Sequence, residues 1–332
     1  MQWTTQLQLL GYQIRQRLND ARLAGQDMAR PMGQEGGDTI FAIDRHVEPA
    51  IEEAATRWAA QGIGILIIAE GLGETGEQWF GSPDAKERYR VLMDPIDGTR
   101  NIMYDKRAAW YLAAAMPDKG TGTKLSDAIA SVMVELPTSK QGQADAFAAI
   151  QNIPSVATRM NLTDQLAKPL AVAPSTALTL REGFGQVSNF FPGTKILAAE
   201  LMERIVSKTL GDVEPGSAAV FDDQYISTGG QLVELVMGRD RFCCDLRPLL
   251  YQILQKQTGQ SARGLECHPY DMAGLLVAKQ AGVVVTDGWG KSLDMPLDVH
   301  SPVHWCGYAN ETLQKAIGPV ISQWLVEKGL TI

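Results

Sequence analysis

Residues 63–70 read IGILIIAE, an apolar run that does not alternate with polar residues. A strand of that kind has both faces buried, so other layers must cover it on each side. The flanking sequence supplies them. Leu7, Leu10, Ile14 and Leu18 recur at helical spacing, and Val47, Ile51, Ala54 and Trp58 line one face of a second helix that Asp44 is placed to cap. YRVLMD, WYLAAAMP and AIASVMVELP read as further strands. GQLVELVMGRDRFCCDL reads as a helix or strand passing into a turn. TKILAAELMERIVSKTL and YDMAGLLVAKQAG read as helices, the second stopped by Gly282. VVVTDGWG and SPVHWCGYA are strands, and Asn310 caps a final helix, ETLQKAIGPVISQWLVEKG. Strands and helices alternate throughout, which predicts an α/β or α+β protein with layered sheets. The polar region 137–175, interrupted by Pro154, Pro169 and Pro174, is the expected boundary between an N-terminal domain (1–155) and a C-terminal domain (156–332).

Composition narrows the partners. The chain has 332 residues, 45% hydrophobic and 20% charged, with a formal net charge of -8. Such a balance recommends neither a nucleic acid polymer nor an anionic membrane. No window is long and apolar enough to span a bilayer. The first residues lack the charged start and apolar centre of a signal peptide, and the four cysteines form no Cys-x-x-Cys pair. A cytoplasmic location with reduced thiols is the expectation. The four histidines lack zinc-ligand spacing.

The chemistry is concentrated in MDPIDGTRNI, residues 93–102. Asp94 and Asp97 would repel each other at one point unless a cation lay between them. Gly98-Thr99 reads as the opening of a helix, where backbone N–H groups are free to meet an anion. Glu70 ends IGILIIAE, and Asp271 opens YDMAGLLVAKQAG, so further carboxylates stand at the ends of elements. Oxygen-only ligands suit Mg²⁺, above all when a substrate brings phosphate oxygens.

GLGETG, residues 71–76, follows a strand and matches G-x-G-x-x-G. A dinucleotide site requires a long helix from the third glycine. EQWFGSPDAKER is broken by Gly81 and Pro83 and has no apolar stripe, so the glycines are assigned to a turn.

DPIDGTRN resembles the first signature of the inositol monophosphatase family, and YDMAGLLVAKQAGVVVTDGWG resembles its second. IIAEGLGE and TIFAIDRHVEPAIEEA are similar to the segments that carry the family's metal-binding glutamate and its Thr-x-x-Asp. The likeness runs over roughly residues 5–325 and is loose between 137 and 265. It implies a layered α/β/α/β/α sandwich of the sugar-phosphatase type and a Mg²⁺-dependent phosphomonoesterase. By the same resemblance, Glu70, Asp94 and the Ile96 carbonyl hold one Mg²⁺, and Asp94, Asp97 and Asp271 hold a second. A third ion shares Glu70. Thr99, positioned by Asp44, orients or deprotonates the attacking water, while the Gly98 and Thr99 N–H groups bind phosphate. Lithium inhibition and a homodimer are implied as well.

The chain departs from the family at several points. Gly71 stands where a second glutamate is usual, with Glu74 a candidate to reach back, and Tyr270 replaces a tryptophan. The stretch 239–270 is longer than the inositol enzymes need, and Glu266 is the nearest candidate for a substrate-reading acid. Arg181, Lys195 and Arg247 are candidates to meet a second phosphate. Arg100-Asn101 after DPIDGT favours an inositol monophosphate or fructose 1,6-bisphosphate over 3′-phosphoadenosine 5′-phosphate. Gly71 supports the rival reading, a metal- and phosphate-binding sensor of weakened activity.

Overall fold

The computed structural model describes residues 1–35, 38–73, 75–262 and 264–331, with the backbone alone for 31–35, 38–40 and 44. The chain opens with α1 (Trp3–Leu23), a ribbon of β1 (Pro31–Glu35) and β2 (Asp38–Phe41), and α2 (Glu48–Ala59). Strands β3 (Gly64–Ala69), β4 (Glu77–Phe80) and β5 (Arg88–Asp97) lead to the short helix α3 (Thr99–Met103). A meander follows: β6 (Ala109–Pro117), β7 (Ala130–Leu136), β8 (Gln143–Ile150), β9 (Ile153–Asn161) and β10 (Ala167–Leu170). The resulting eight-stranded sheet has the order β10-β9-β8-β7-β6-β5-β3-β4, with β3 and β5 parallel and its other pairings antiparallel.

The rest of the chain comprises β11 (Gly183–Val187), α4 (Lys195–Leu210), β12 (Val220–Phe221), α5 (Thr228–Val236) and β13 (Asp240–Asp245). It ends with α6 (Arg247–Thr258), α7 (Leu275–Ala281), β14 (Val284–Thr286), β15 (Trp305–Tyr308) and α8 (Glu311–Glu327). Its five strands form a second sheet in the order β12-β11-β13-β15-β14.

Alternation along the strands divides the interior into three apolar cores. Ile65 and Ile67 pack with Leu7, Leu10, Ile14 and Trp58 of α1 and α2 on the outer face of the large sheet. Leu66 and Ile68 point the other way, into a core shared with α5, α7 and the inward residues Cys243 and Trp305 of the small sheet. Cys244, Cys306 and Tyr308 face outward again, against α4, α6 and α8. Side chains of a strand alternate between faces, so two stacked sheets with three helical layers bury both faces of the central strands β3, β6 and β7. The order α/β/α/β/α is the one the resemblance implies.

Two expectations need correction. The 137–175 region is not a linker: β8, β9 and β10 occupy it, and β9 runs through the expected 155/156 division. Its polar residues lie at hairpin ends, while Ala144, Ala146, Phe147, Ala148 and Ala149 are buried. Small alanine side chains let α1 and α7 pack against this sheet from opposite sides. The change of sheet falls between Leu170 and Gly183. Asp44 does not cap α2: it opens a 3₁₀ turn, Asp44–His46, and Val47 is the N-cap, with Pro49 in the first turn. The Asp44 side chain itself lies outside the described residues. The long 239–270 stretch, whose role the sequence leaves open, contains β13 and α6.

Candidate active site

The site begins with an irregularity in β5. Residues three apart on a regular strand point to opposite faces. Asp94 pairs with Leu112 and Asp97 with Trp110, so three steps on β5 match two on β6. That extra residue is a bulge at Pro95-Ile96, and it turns both carboxylates to the same side. The Ile96 N–H donates to Asp94 Oδ1 at 2.9 Å, closing the bulge on itself. Gly98 follows at φ +91°, a left-handed conformation that glycine adopts without strain, and starts α3. The Thr99 hydroxyl donates to the Ile96 carbonyl at 2.9 Å.

Asp97 is seated by the N-terminus of α5. Ser227 Oγ donates to Asp97 Oδ2 at 2.7 Å, Gly229 N–H to Oδ2 at 2.5 Å, and Thr228 N–H to Oδ1 at 3.2 Å. Ser227 also caps the helix, accepting from Gly230 N–H at 2.9 Å. Asn101 secures this approach by donating to the Ile226 carbonyl at 2.9 Å. Gly229 has to be glycine for space, since a Cβ there would stand 2.6 Å from Leu112 and 2.9 Å from Asp97 Oδ2.

Asp271 lies in a 3₁₀ turn, Pro269–Met272, ahead of α7, and its Oδ2 accepts from His268 N–H at 2.6 Å. The turn packs against β5. Together, Asp94, Asp97 and Asp271 bring carboxylate oxygens within 4.8 Å of one another. Asp94 and Asp97 are only 3% and 5% exposed.

The electrostatics are those of crowded negative charge. Burial first, then the charges of Asp97, Glu70 and Asp271, hold Asp94 well above the usual carboxylate range. Asp271 is likewise raised by burial and by Asp97 and Glu70, while Arg247 pulls it down. Burial raises Asp97 too, but its hydrogen bonds from Ser227, Gly229 and Thr228 restrain it to about 6. Two buried carboxylates and a half-buried third at this spacing are costly by themselves and favourable around a cation. Hard oxygen donors with a main-chain carbonyl beside them fit Mg²⁺.

Glu70 follows β3, is exposed, and acts on Asp94 and Asp271 through its charge. It does not join the cluster of three. Gly71 sits at φ +71° with open space around it, so a turn rather than crowding accounts for glycine there. Glu74 lies outside the described residues. Glu266 is half-buried, and its charge acts on Tyr251. Among the candidates for a second phosphate, Arg181 and Lys195 are exposed, whereas Arg247 is buried against Asp245.

The sequence reading missed the α5 N-terminus, the Asp245–Arg247 pair and the His268 N–H. Only the first had a readable signal: Ser227, then Thr-Gly-Gly and an apolar helix, is an N-cap pattern.

No protein-family profile matches the sequence, and no curated protein is similar to it. Solved structures are. The holo form of Leishmania major fructose-1,6-bisphosphatase is 11% identical, with a TM-score of 0.65 over 97% of this chain and 93% of its own. The extragenic suppressor protein suhB of Bartonella henselae is 16% identical, with a TM-score of 0.62 over 97% and 99%. A Pyrococcus horikoshii protein described as having similarities to inositol-1 monophosphatase is 16% identical, with a TM-score of 0.60 over 96% and 99%. This chain has the fold of the inositol monophosphatase and fructose-1,6-bisphosphatase superfamily.

Proposed function

We propose that the protein is a Mg²⁺-dependent phosphomonoesterase acting on a small phosphorylated sugar or polyol. The observation that carries this reading is the convergence of carboxylate oxygens of Asp94, Asp97 and Asp271 within 4.8 Å of one another. Glu70, Asp94 and the Ile96 carbonyl are assigned to one ion, and Asp94, Asp97 and Asp271 to a second, with Glu70 contributing to a third. Mg²⁺, when bound, supplies a Lewis acid for phosphoryl oxygens and lowers the pKa of water.

The chain's own residues do the rest. Thr99 commits its hydroxyl hydrogen to Ile96, so its oxygen presents lone pairs and accepts a hydrogen bond from the attacking water. That bond aims the water's remaining lone pair at phosphorus. The Gly98 and Thr99 N–H groups take phosphate oxygens as individual donors, because α3 has only five residues and little dipole to add. The bond from phosphorus to the ester oxygen breaks as the bond to water oxygen forms, leaving an alcohol and inorganic phosphate. Lithium inhibition, a homodimer and a cytoplasmic location accompany this reading, and an inositol monophosphate or fructose 1,6-bisphosphate is its preferred substrate.

The test is release of inorganic phosphate with Mg²⁺ from inositol 1-phosphate, fructose 1,6-bisphosphate, adenosine 3′,5′-bisphosphate and an aryl phosphate. We expect Mg²⁺-dependent release that falls at least about 100-fold in Asp97→Asn, as loss of a group that holds reacting charge does. A folded protein that binds Mg²⁺ but releases phosphate from none of the four would overturn it in favour of the sensor.

A further inference from the structure

Residues 246–264 insert α6 and its trailing loop between β13 and the segment that carries Asp271. A connection of this length leaves the position of its far end undetermined unless side chains tie it down. One residue does so. Arg247 Nε stands 2.9 Å from each oxygen of Asp245, and Nη2 stands 2.6 Å from Oδ2. Nη1 then donates to the Leu265 carbonyl at 3.0 Å, across the whole insertion. The Tyr251 hydroxyl donates to the same carbonyl at 3.3 Å. Asp245 is fully buried, the Arg247 side chain is 9% exposed, and the rings of Phe190 and Phe191 lie 5.1 and 5.6 Å from the guanidinium.

Beyond Leu265 the chain passes directly to the carboxylates. The Cys267 carbonyl accepts from Val303 N–H at 2.8 Å, and Cys267 Sγ lies 3.9 Å from Thr228 Oγ1. Thr228 N–H donates to Asp97, and His268 N–H donates to Asp271. The anchored segment therefore touches the supports of both aspartates.

We propose that Arg247 is a positioning residue for the Mg²⁺ site: fixed by Asp245, it holds the Leu265 carbonyl and so sets Asp271 at the distance from Asp97 that a shared cation requires. This rests on reading the three aspartates as Mg²⁺ ligands. The role needs a planar fork that reaches a carboxylate and a carbonyl at once, which an ammonium cannot reproduce.

The experiment is calorimetric titration of Mg²⁺ into the native full chain, Arg247→Lys and Tyr251→Phe, with the Tm of each Mg²⁺-free protein measured alongside. Arg247→Lys is expected to weaken Mg²⁺ binding about tenfold, the loss typical when a group supporting a metal ligand is changed. Tyr251→Phe is expected to weaken it by about two- to threefold, the value of one neutral hydrogen bond. Phosphate release by either variant should recover at saturating Mg²⁺. A structural role alone would lower the Tm and leave the affinity of the folded protein unchanged, and that result overturns the proposal. If Arg247→Lys does not fold, Tyr251→Phe decides. A native chain that binds no Mg²⁺ overturns this proposal and the phosphatase together. One whose Mg²⁺ affinity depends on Arg247 yet releases no phosphate overturns the phosphatase alone.

Discussion

Asp94 and Asp97 reach the site on β5, a strand flanked by β3 and β6 in the middle of the large sheet, whereas Asp271 reaches it on a short turn at the end of an insertion. The first pair is held by backbone pairing over the length of β5. The second is held by a few side-chain bonds, from Arg247 and Tyr251 to Leu265 and from His268 N–H to Asp271. A sheet interior resists local change because many bonds must yield together, while a turn shifts when one tie is lost. The comparison teaches that the site has a stiff half and an adjustable half.

Gly229→Ala would break the stiff half most severely. The added methyl stands under 3 Å from Leu112 Cδ2 and Asp97 Oδ2, so the Leu112 or Asp97 side chain or the helix itself must shift. We expect a loss of about 1–3 kcal/mol of stability, as overpacking costs, together with much weaker Mg²⁺ binding. Thermal unfolding and Mg²⁺ titration measure the two effects. Unchanged affinity would show that Asp97 does not depend on α5.

Ser227→Ala is a milder version of the same cut. It removes the N-cap of α5 and one of the bonds to Asp97 while leaving the Thr228 and Gly229 N–H groups in place. The expected cost is about 1 kcal/mol of stability, with Mg²⁺ binding weakened less than in Gly229→Ala. A larger loss of affinity in Ser227→Ala than in Gly229→Ala would reverse that ranking.

A pH-dependent contrast lies between the two ends of β13. Asp245 has the Arg247 fork; Asp240, 5% exposed, has the Gln186 amide at 3.3 Å. Burial, with the nearby Glu234 charge, pushes Asp240 up to about 7. A carboxyl whose folded-state pKa is raised binds its proton more tightly when folded, so its contribution to stability is complete below about pH 4 and is lost as the pH rises through 7. Asp240→Asn keeps an acceptor for Gln186 and removes the titration. It should raise the Tm by about 2 °C at pH 8 and by nothing near pH 4. A gain that persists at pH 4 would mean that the charge is not its cause.

Much of the stiff half was readable in the chain. The run 63–69 is apolar over its whole length and Val91-Leu92-Met93 lead buried into Asp94, and only a covered sheet accommodates them. The α1 face of Leu7, Leu10, Ile14 and Leu18 was readable for the same reason, since burial of one stripe imposes the helical period. Asn310 does cap the last helix, through Leu313 N–H. The meander from β8 to β10 was not readable, because alanine-rich strands with polar hairpin ends resemble a linker in composition. Asp44 as a helix cap failed because Pro49 sets the start of α2 later along the chain.

What the sequence by itself determined about this protein is the layered α/β architecture and the local carboxylate pair of DPIDGT, since apolar period and residue spacing express themselves within one element. What only the tertiary structure decided is how the site closes. The bulge that turns Asp94 and Asp97 the same way depends on pairing with β6, and the seat of Asp97 comes from residues 130 to 132 positions later. The tie from Arg247 to Leu265 spans the insertion. The energies of such contacts belong to pairs of distant groups, and no stretch of chain carries a pair within itself.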